Sequence, residues 1–343
     1  MKRANKRQAG PPGALQARDA VDLHLHTLAS DGFWSPDTLT QYLAEKQFKA
    51  AAVCDHDTQR SVVETIALGE ERGVTVVPGV EVTCSWENRQ LHILVYGVRP
   101  DCTDDDAKPL RQLLDRIDTE LHANAEDAKT RFESSGRELV SLEEIRDGRL
   151  LWPFHVLTAA IQDKHVPNLK EAAELLVELG GRFTADLPLG DVVDAAHLAG
   201  GLCLVAHPGR ADAVGEVAEG DLDRVLEDHP LDGLEAHYRS YTDAQTEHYR
   251  RLAFDRGLLV SCGSDSHAPN MPVNPRPWRA AWCAALLTRL GFEVEGEAGG
   301  GPAWHVGMDH DAVHPSAEHA QAEAPMEEDA NSEAELEASV QRG

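Results

Sequence analysis

Two histidines at alternate positions near the start of the chain are the first candidates for chemistry. They are His24 and His26, in the segment Asp22–Leu23–His24–Leu25–His26, and Asp31 follows in the next loop. Because side chains at positions i and i+2 of a β-strand point to the same face, the two imidazoles can bind one metal ion together. Asp31 can bind at a neighbouring position. The segment therefore predicts one corner of a metal site.

Other His, Asp and Glu residues follow or lie within further apolar segments, where the strands of a βα fold end. The candidates, with the first three, are His24, His26, Asp31, His56, Glu81, His92, His207, Asp265 and His267. In barrels of parallel strands, functional residues gather at the carboxyl ends of the strands. Imidazole and carboxylate ligands without thiolate are typical of Zn, Mn or Fe sites. The set predicts a site that holds more than one metal ion.

A structural explanation exists for each of these residues taken alone. A histidine near a strand end is more often hydrogen-bonded within the fold than bound to metal, and Asp55–His56–Asp57 could form a turn that caps the next helix. Buried acids are costly, however, unless they are paired or metal-bound. It is improbable that all nine candidate residues lie at strand ends for separate structural reasons. The pattern therefore favours the metal site.

The elements that position these residues alternate in type along the chain. Apolar segments and helical segments alternate from Ala20 to Gly97 and again from 190 to 290, which predicts βα units and a mostly parallel sheet or barrel. Ser35 and Pro36 predict the start of the first helix, and Trp278–Leu290 predicts the last one. The intervening residues, about 103–186, are charged and helical, and they predict a helical insertion.

Composition limits the organisation of the 343 residues. A hydrophobic content of 42% can fill a sizeable core, and the net charge of −27 is unevenly placed. Residues 1–19 are basic and residues 293–343 are acidic and of low complexity, so we expect both to be disordered on either side of one domain at 20–292. The histidines of the acidic tail are expected to be solvated. The acidic balance argues against a stable DNA partner.

The compartment is inferred from what the chain lacks. The basic N-terminal residues have no apolar core of a signal peptide, and no segment is long and apolar enough to span a membrane. The six cysteines show no CxxC pairing, which argues against a disulfide framework. We therefore expect a cytoplasmic protein without a membrane partner.

Five segments together resemble a known family. DLHLHTLASDG, VCDHDT, PGVEVTC, LVAHPGR and GSDSH are similar to the motifs of the PHP (polymerase and histidinol phosphatase) superfamily, over about residues 20–290. The similarity is greatest to its free-standing 3′,5′-nucleotide bisphosphate phosphatases and 5′-to-3′ exoribonucleases. The resemblance implies an α/β fold, a distorted (β/α)7 barrel with the helical insertion, and up to three divalent ions, Mn foremost, with Zn or Fe as alternatives.

The resemblance also implies a ligand set for each ion. The first ion would bind His24, His26, Glu81 and Asp265. The second would share Glu81 and add His92 and His207. The third would bind Asp31, His56 and His267. Glu81, Asp265 and His207 would be catalytic, because neighbouring metals that lower the pKa of a bridging water create hydroxide at neutral pH.

The expected substrate is a small, nucleotide-like phosphate monoester such as a 3′,5′-bisphosphate, held by Arg210 and His155 away from the metals. One departure bears on it: relatives carry an Arg-rich stretch in the first long helix of the insertion, where this chain has Ala123–Asn124–Ala125–Glu126–Asp127. Three alternatives are an exonuclease acting on short RNA ends, a non-catalytic metal-binding module, and a hydrolase of C–N bonds.

Overall fold

The computed structural model describes residues 13–87, 89–210 and 216–295. These residues form eleven strands: β1 (Ala14–Gln16), β2 (Ala20–Leu25), β3 (Phe48–Val53), β4 (Thr75–Trp86), β5 (Arg89–Tyr96), β6 (Leu187–Pro188), β7 (Leu202–Val205), β8 (Gly233–Tyr238), β9 (Leu259–Gly263), β10 (Trp278–Arg279) and β11 (Glu293–Glu295).

The same residues form ten α-helices and two short 3₁₀ turns. The helices are α1 (Pro36–Glu45), α2 (Val62–Arg72), α3 (Lys108–Ser134), α4 (Leu142–Arg146), α5 (Pro153–Gln162), α6 (Leu169–Glu178), α7 (Leu189–Leu198), α8 (Glu219–Asp228), α9 (Asp243–Asp255) and α10 (Ala284–Arg289). The turns cover Asp105–Ala107 and Ala280–Cys283. No helix in the described part of the chain is long and apolar enough to cross a membrane.

Seven strands form a nearly closed barrel in the order β2-β3-β4-β5-β7-β8-β9. The first and last strands approach each other where the amide of His26 donates to Ser266 O at 3.1 Å and the amide of Asp265 donates to His24 O at 2.9 Å. Closure brings the carboxyl end of β2 beside the loop that follows β9. The predicted α/β class and seven-stranded distorted barrel are confirmed.

The sheet is less parallel than the sequence predicts. β5 runs antiparallel to both β4 and β7, and His92 of β5 lies opposite Thr83 of β4. β4 also continues to Trp86, so Glu81 lies within the strand instead of at its end. The alternation of Val80, Val82 and Cys84 marks a strand but carries no information about the direction of its partner.

Local sequence explains the ends of the first helices. Ser35 caps α1 by accepting a hydrogen bond from the amide of Thr38, with Pro36 at the first helical position, as predicted. α2 ends at Gly73, whose φ of +76° is a left-handed conformation that glycine adopts without strain. These two helices cover the outer face of β2, β3 and β4, where Leu25, Leu39 and Val53 are buried.

Three apolar layers surround the site. Residues of β2, β3, β5, β7 and β9, such as Leu23, Ala52 and Leu204, fill the barrel below its carboxyl end. The insertion has a core of its own, in which Phe132 of α3 packs with α4, α5 and α6. The first half of α3, through Leu114 and Ile117, packs on the outside of the barrel. The insertion therefore packs on the barrel through the first half of α3, and Trp152 joins the same apolar cluster.

Three features differ from the sequence-based expectations. A helix at Glu219–Asp228 was not predicted, since Leu222 and Val225 are its only buried residues. The predicted helix Trp278–Leu290 is instead β10, a 3₁₀ turn and the short α10. β1 and β11 pair in parallel, so ordered structure extends beyond the predicted limits of 20 and 292. The rest of both terminal segments, with the tail histidines, lies outside the described residues.

Candidate metal centre

His24 and His26 lie at the end of β2 and face the interior of the barrel. The register of β2 against β3 shifts between Asp22 and Leu25, so Leu23 packs inside the barrel and Leu25 packs outside it. This irregularity brings both imidazoles to the inner face above Leu23. Their Nε2 atoms are 3.1 Å apart, and both rings are fully buried.

Glu81 lies at the centre of the site, and its two carboxylate oxygens face different histidines. Oε2 is 2.9 Å from His24 Nε2 and 3.2 Å from His26 Nε2. Oε1 is 2.9 Å from His207 Nε2 and 3.1 Å from His92 Nδ1. A carboxylate placed in this way can bridge two metal ions, one on each oxygen.

Three overlapping groups of ligand atoms could each hold a metal ion. They are His24, His26, Glu81 and Asp265; His56, Glu81 and His92; and His26, Asp31, His56 and His267. In the first group, Asp265 Oδ1 is 2.9 Å from His26 Nε2, and in the third, Asp31 Oδ2 is 3.2 Å from His267 Nε2. The structure thus brings together all nine side chains predicted as metal ligands.

The grouping differs in detail from the ligand sets implied by the resemblance. His56 belongs both to the group with Glu81 and His92 and to the group with Asp31. His26 also belongs to two of the three groups. His207 belongs to the site through its contact with Glu81 and lies 5.4 Å, ring to ring, from His92. The donors are imidazole nitrogens and carboxylate oxygens, which suit divalent ions such as Zn, Mn or Fe, so the residues present fit such ions.

The electrostatics favour the metal-binding forms of Glu81 and His207, whereas the carboxylates of Glu81, Glu235 and Asp265 raise the pKa of the His24 imidazole against the effect of its burial. Burial opposes ionisation of Glu81, but the neighbouring His24, His56 and His92 hold the pKa of its carboxyl well below its usual range. Burial lowers the pKa of His207 to about 3, although Glu81 opposes this shift. At neutral pH the site therefore contains an ionised Glu81 and a neutral His207 imidazole that offers a lone pair.

Glu235 supports two of these ligands, and this role was not predicted from the sequence. Its Oε1 is 3.2 Å from His24 Nδ1, and its Oε2 accepts a hydrogen bond from the amide of His207 at 2.8 Å. A carboxylate on the second nitrogen of a ligand histidine fixes the ring and its tautomer. The available signal was an acid inside the apolar strand β8. Gly263 is required nearby, since a Cβ there would collide with His24 and Glu235.

Asp265 is held so that one oxygen faces the histidines. Its Oδ2 accepts a hydrogen bond from Tyr238 Oη at 2.7 Å and lies 2.5 Å from Arg239 Nη1 and 3.5 Å from Arg210 Nη1. Its Oδ1 faces His26 Nε2, at 2.9 Å. Burial opposes ionisation here too, but Arg239 and the histidines keep the pKa of the Asp265 carboxyl well below its usual range.

Asp55 and Asp57 fix loops around the site. Asp55 accepts hydrogen bonds from the amide and hydroxyl of Thr27 at 2.6 and 2.7 Å and from the Ser30 hydroxyl at 2.7 Å. It thereby shapes the loop that carries Asp31. Asp57 accepts from the amide and hydroxyl of Thr83 on β4 at 2.7 and 2.9 Å. Both acids act by holding backbone in place.

The backbone is strained at three strand ends of the site. Asp57, His207 and Asp265 have φ values of +54°, +26° and +53°, in a region that non-glycine residues rarely occupy. Such residues cost on the order of 1–3 kcal/mol each and concentrate at functional sites. The strain at His207 and Asp265 therefore supports a functional reading of these positions.

The two residues predicted to contact substrate occupy different surroundings. Arg210 is 9% exposed and lines a cavity that also contains His56, His207 and Asp265. His155 is buried, and its Nδ1 accepts a hydrogen bond from the amide of Trp152 at 3.0 Å, which caps α5. Its ring is not among the described side chains that line the cavity.

Sequence comparisons place the chain among phosphoesterases. No protein-family profile matches it. It is 30% identical over 256 residues to the phosphoribosyl 1,2-cyclic phosphate 1,2-diphosphodiesterase of Eggerthella lenta, covering 72% of this chain and 93% of that protein. The chain belongs to the PHP family of metal-dependent phosphoesterases. As a PHP phosphoesterase, it is a hydrolase that acts on phosphoric ester bonds, and its His, Asp and Glu groups fit divalent metal ions.

Other relatives of this PHP phosphoesterase carry two further names. The 5′-3′ exoribonuclease of Haemophilus influenzae is 28% identical, covering 72% of this chain and 90% of that protein. The 3′,5′-nucleoside bisphosphate phosphatase of Chromobacterium violaceum is 26% identical, covering 73% and 87%. An amidohydrolase structure from the same organism, with bound sulfate, has a TM-score of 0.61 at 24% identity, covering 74% of this chain and 90% of that chain, and confirms the fold.

Proposed function

We propose that this PHP phosphoesterase hydrolyses phosphate monoesters of small, nucleotide-like molecules at the carboxyl end of its barrel. The observation that carries the proposal is the position of Glu81, whose two oxygens face His24 and His26 on one side and His92 and His207 on the other. A bridging carboxylate between two histidine pairs supports a centre with at least two metal ions, and the third group, around Asp31, supports up to three.

The ions, which we propose to be manganese, with zinc or iron as alternatives, would supply a hydroxide nucleophile at neutral pH and clamp the phosphoryl oxygens. The side chains prepare the site for this reaction. Glu81 and Asp265 enter it ionised, and Glu235 holds His24 in one orientation. We propose that Arg210, which lines the cavity beside the ligand set, donates hydrogen bonds to a phosphate oxygen.

We propose that the insertion, about 103–186, acts as a cap over this cavity, and that the domain at 20–292 is the catalytic unit. The insertion has a separate apolar core around Phe132, which supports its role as a distinct cap. All six cysteines are free thiols, which supports the proposal of a reducing compartment such as the cytoplasm.

Short RNA with a free 5′ end is the second candidate substrate. Relatives named 5′-3′ exoribonuclease support it. A long anionic strand needs a line of cationic side chains beside the metal centre. Among the described residues that line the cavity, Arg210 is the one arginine or lysine, and this favours a small substrate. The complete set of ligand positions disfavours a non-catalytic metal-binding module.

The test is chelation followed by reloading with Mn²⁺, Zn²⁺ or Fe²⁺. Phosphate release is measured for 4-nitrophenyl phosphate, nucleotides, 3′,5′-bisphosphates and sugar phosphates, and release of mononucleotides is measured for short RNA. We expect the metal-free protein to be inactive and one of the ions to restore turnover. His26→Ala and Asp265→Ala should abolish the activity, whereas His248→Ala, at an exposed histidine of α9, should retain it. Turnover by metal-free protein at the level of the loaded enzyme would contradict the proposal.

A further inference from the structure

The cavity beside the ligand residues has two unlike walls. The barrel wall contains ionisable side chains, among them Asp31, His56, Arg210 and Asp265. The insertion wall is made mainly of apolar side chains, which are Leu121, Trp152, Phe154, Leu157, Leu169 and Phe183. Among the described residues, none of the side chains on the insertion wall carries a charge. A ligand bound at the metal centre therefore extends from a polar floor toward an apolar wall.

Two arginines of the insertion, Arg146 and Arg149, do not line the cavity, and Arg149 has partners of its own. Arg149 donates to the carbonyl oxygens of Ile145 at 2.7 Å and Arg146 at 3.0 Å, and its guanidinium stands over the ring of Phe33. Neither Arg149 nor Arg146 is among the described side chains that line the cavity.

Arg60 approaches the wall from its other side. It donates to Ala29 O at 2.8 Å, pairs with Asp118 and lies over the ring of Trp152, 5.6 Å from the ring centroid. It also does not line the cavity. A second phosphate directed at the insertion wall would lose its hydration without gaining a cation, which is unfavourable.

Aromatic side chains and two neutral polar groups define what the wall can bind. Trp152, Phe154 and Phe183 provide aromatic surface, on which a flat ring packs well. Gln90 of β5 and Thr184 line the same cavity, and each can form a hydrogen bond without adding charge. Thr184 is held in place because Asn124 of α3 donates to its carbonyl oxygen at 3.0 Å. Apolar walls with a few placed polar groups are typical of small-molecule sites.

We propose that the insertion wall binds the nucleobase of a nucleoside monophosphate, and that a second phosphate on the sugar contributes nothing to recognition. This inference rests on the proposed phosphomonoesterase function. It separates this chain from its relative in Chromobacterium violaceum, whose name specifies a 3′,5′-bisphosphate. The wall determines which phosphate ester is preferred, and the metal centre determines that a phosphate ester is cleaved.

Three substrates that share a 5′-phosphomonoester test the inference with the Mn-loaded enzyme. They are ribose 5-phosphate, adenosine 5′-monophosphate and adenosine 3′,5′-bisphosphate, and loss of the 5′-phosphate is followed by chromatography of the products. We expect kcat/KM for adenosine monophosphate to exceed that for ribose 5-phosphate by about tenfold or more, the scale expected of base–aromatic stacking. The bisphosphate should lie within about threefold of the monophosphate, because no additional cation receives its second phosphate.

Variants show whether the wall causes the preference. Phe183→Ala should bring the ratio of kcat/KM values for adenosine monophosphate and ribose 5-phosphate to about one, since the stacking surface is lost. A folding defect would lower both values together and leave that ratio unchanged. Phe254→Ala, at an 84% exposed side chain of α9, is the matched control. Thr184→Arg places a cation on the wall and should raise the preference for the bisphosphate about tenfold.

The outcomes separate this inference from the function on which it rests. Equal kcat/KM values for ribose 5-phosphate and adenosine monophosphate, or a tenfold preference of the wild-type enzyme for the bisphosphate, would overturn the inference and leave the phosphomonoesterase intact. If the loaded enzyme hydrolyses none of these three substrates and does not hydrolyse 4-nitrophenyl phosphate, both the inference and the proposed function are overturned.

Discussion

The barrel and the insertion face each other across one cavity, and they differ in what they offer a ligand. The barrel end concentrates buried carboxylates and imidazoles from β2, β3, β4, β5, β7 and β9, supported by Glu235 and Tyr238 of β8. The insertion, with its own core around Phe132, offers apolar and aromatic surface. In our proposal, the barrel side carries the chemistry, and the insertion side sets the selectivity for the substrate.

Removing the central charge of the barrel side should have the largest effect. Glu81→Gln keeps the size of the side chain but removes the negative charge of the carboxylate that lies between the two histidine pairs. Loss of several kcal/mol of transition-state stabilisation corresponds to a fall of about 1,000-fold in kcat/KM, with a lower metal content. Glu247→Gln, on the surface helix α9, is the control. Full activity and full metal content in Glu81→Gln would show that the barrel end does not depend on this carboxylate for metal binding and would contradict the prediction.

Weakening the support of a ligand should have an intermediate effect. Glu235→Gln retains a hydrogen-bond acceptor for the amide of His207 but removes the negative charge beside His24 Nδ1. Such changes cost about 10- to 100-fold in metal affinity. Titration of the metal-free protein with Mn²⁺ measures this, and an unchanged affinity would show that the contact is structural.

A change in the insertion core should weaken substrate binding and leave metal binding unchanged. Phe132→Ala creates a cavity at a fully buried position, and the cost for such a side chain is about 3–5 kcal/mol. Because that core is separate from the barrel, we expect KM for nucleotides to rise while Mn²⁺ affinity changes by less than about twofold. A matched fall in Mn²⁺ affinity would show that the two regions act as one unit.

The smallest effect is expected at Tyr238. Tyr238→Phe removes one of the groups that hold Asp265 Oδ2, while Arg239 remains in contact with the same oxygen. The loss of one hydrogen bond to a charged group corresponds to a decrease of about tenfold in kcat/KM. Steady-state kinetics measure it, and a loss as large as that of Glu81→Gln would contradict the order of effects.

Residue types near strand ends allowed the clustering of the nine candidate ligands to be predicted, although Glu81 and His92 lie within strands. Capping by Ser35 was equally local. The antiparallel direction of β5 was not predictable, because alternating apolar residues look alike in either direction. Glu235 was missed because its role depends on His24, a residue 211 positions away in the chain. The apolar wall depends on how α3, α5, α6 and the segment after α6 pack together, and periodicity alone does not specify that.

The most direct test of the bridging role of Glu81 is anomalous X-ray diffraction from crystals of the enzyme loaded with Mn²⁺. We predict one anomalous peak among His24, His26, Glu81 and Asp265 and a second on the other oxygen of Glu81, near His92 and His207. A single peak that does not contact Glu81, or no peak within the barrel, would contradict the account.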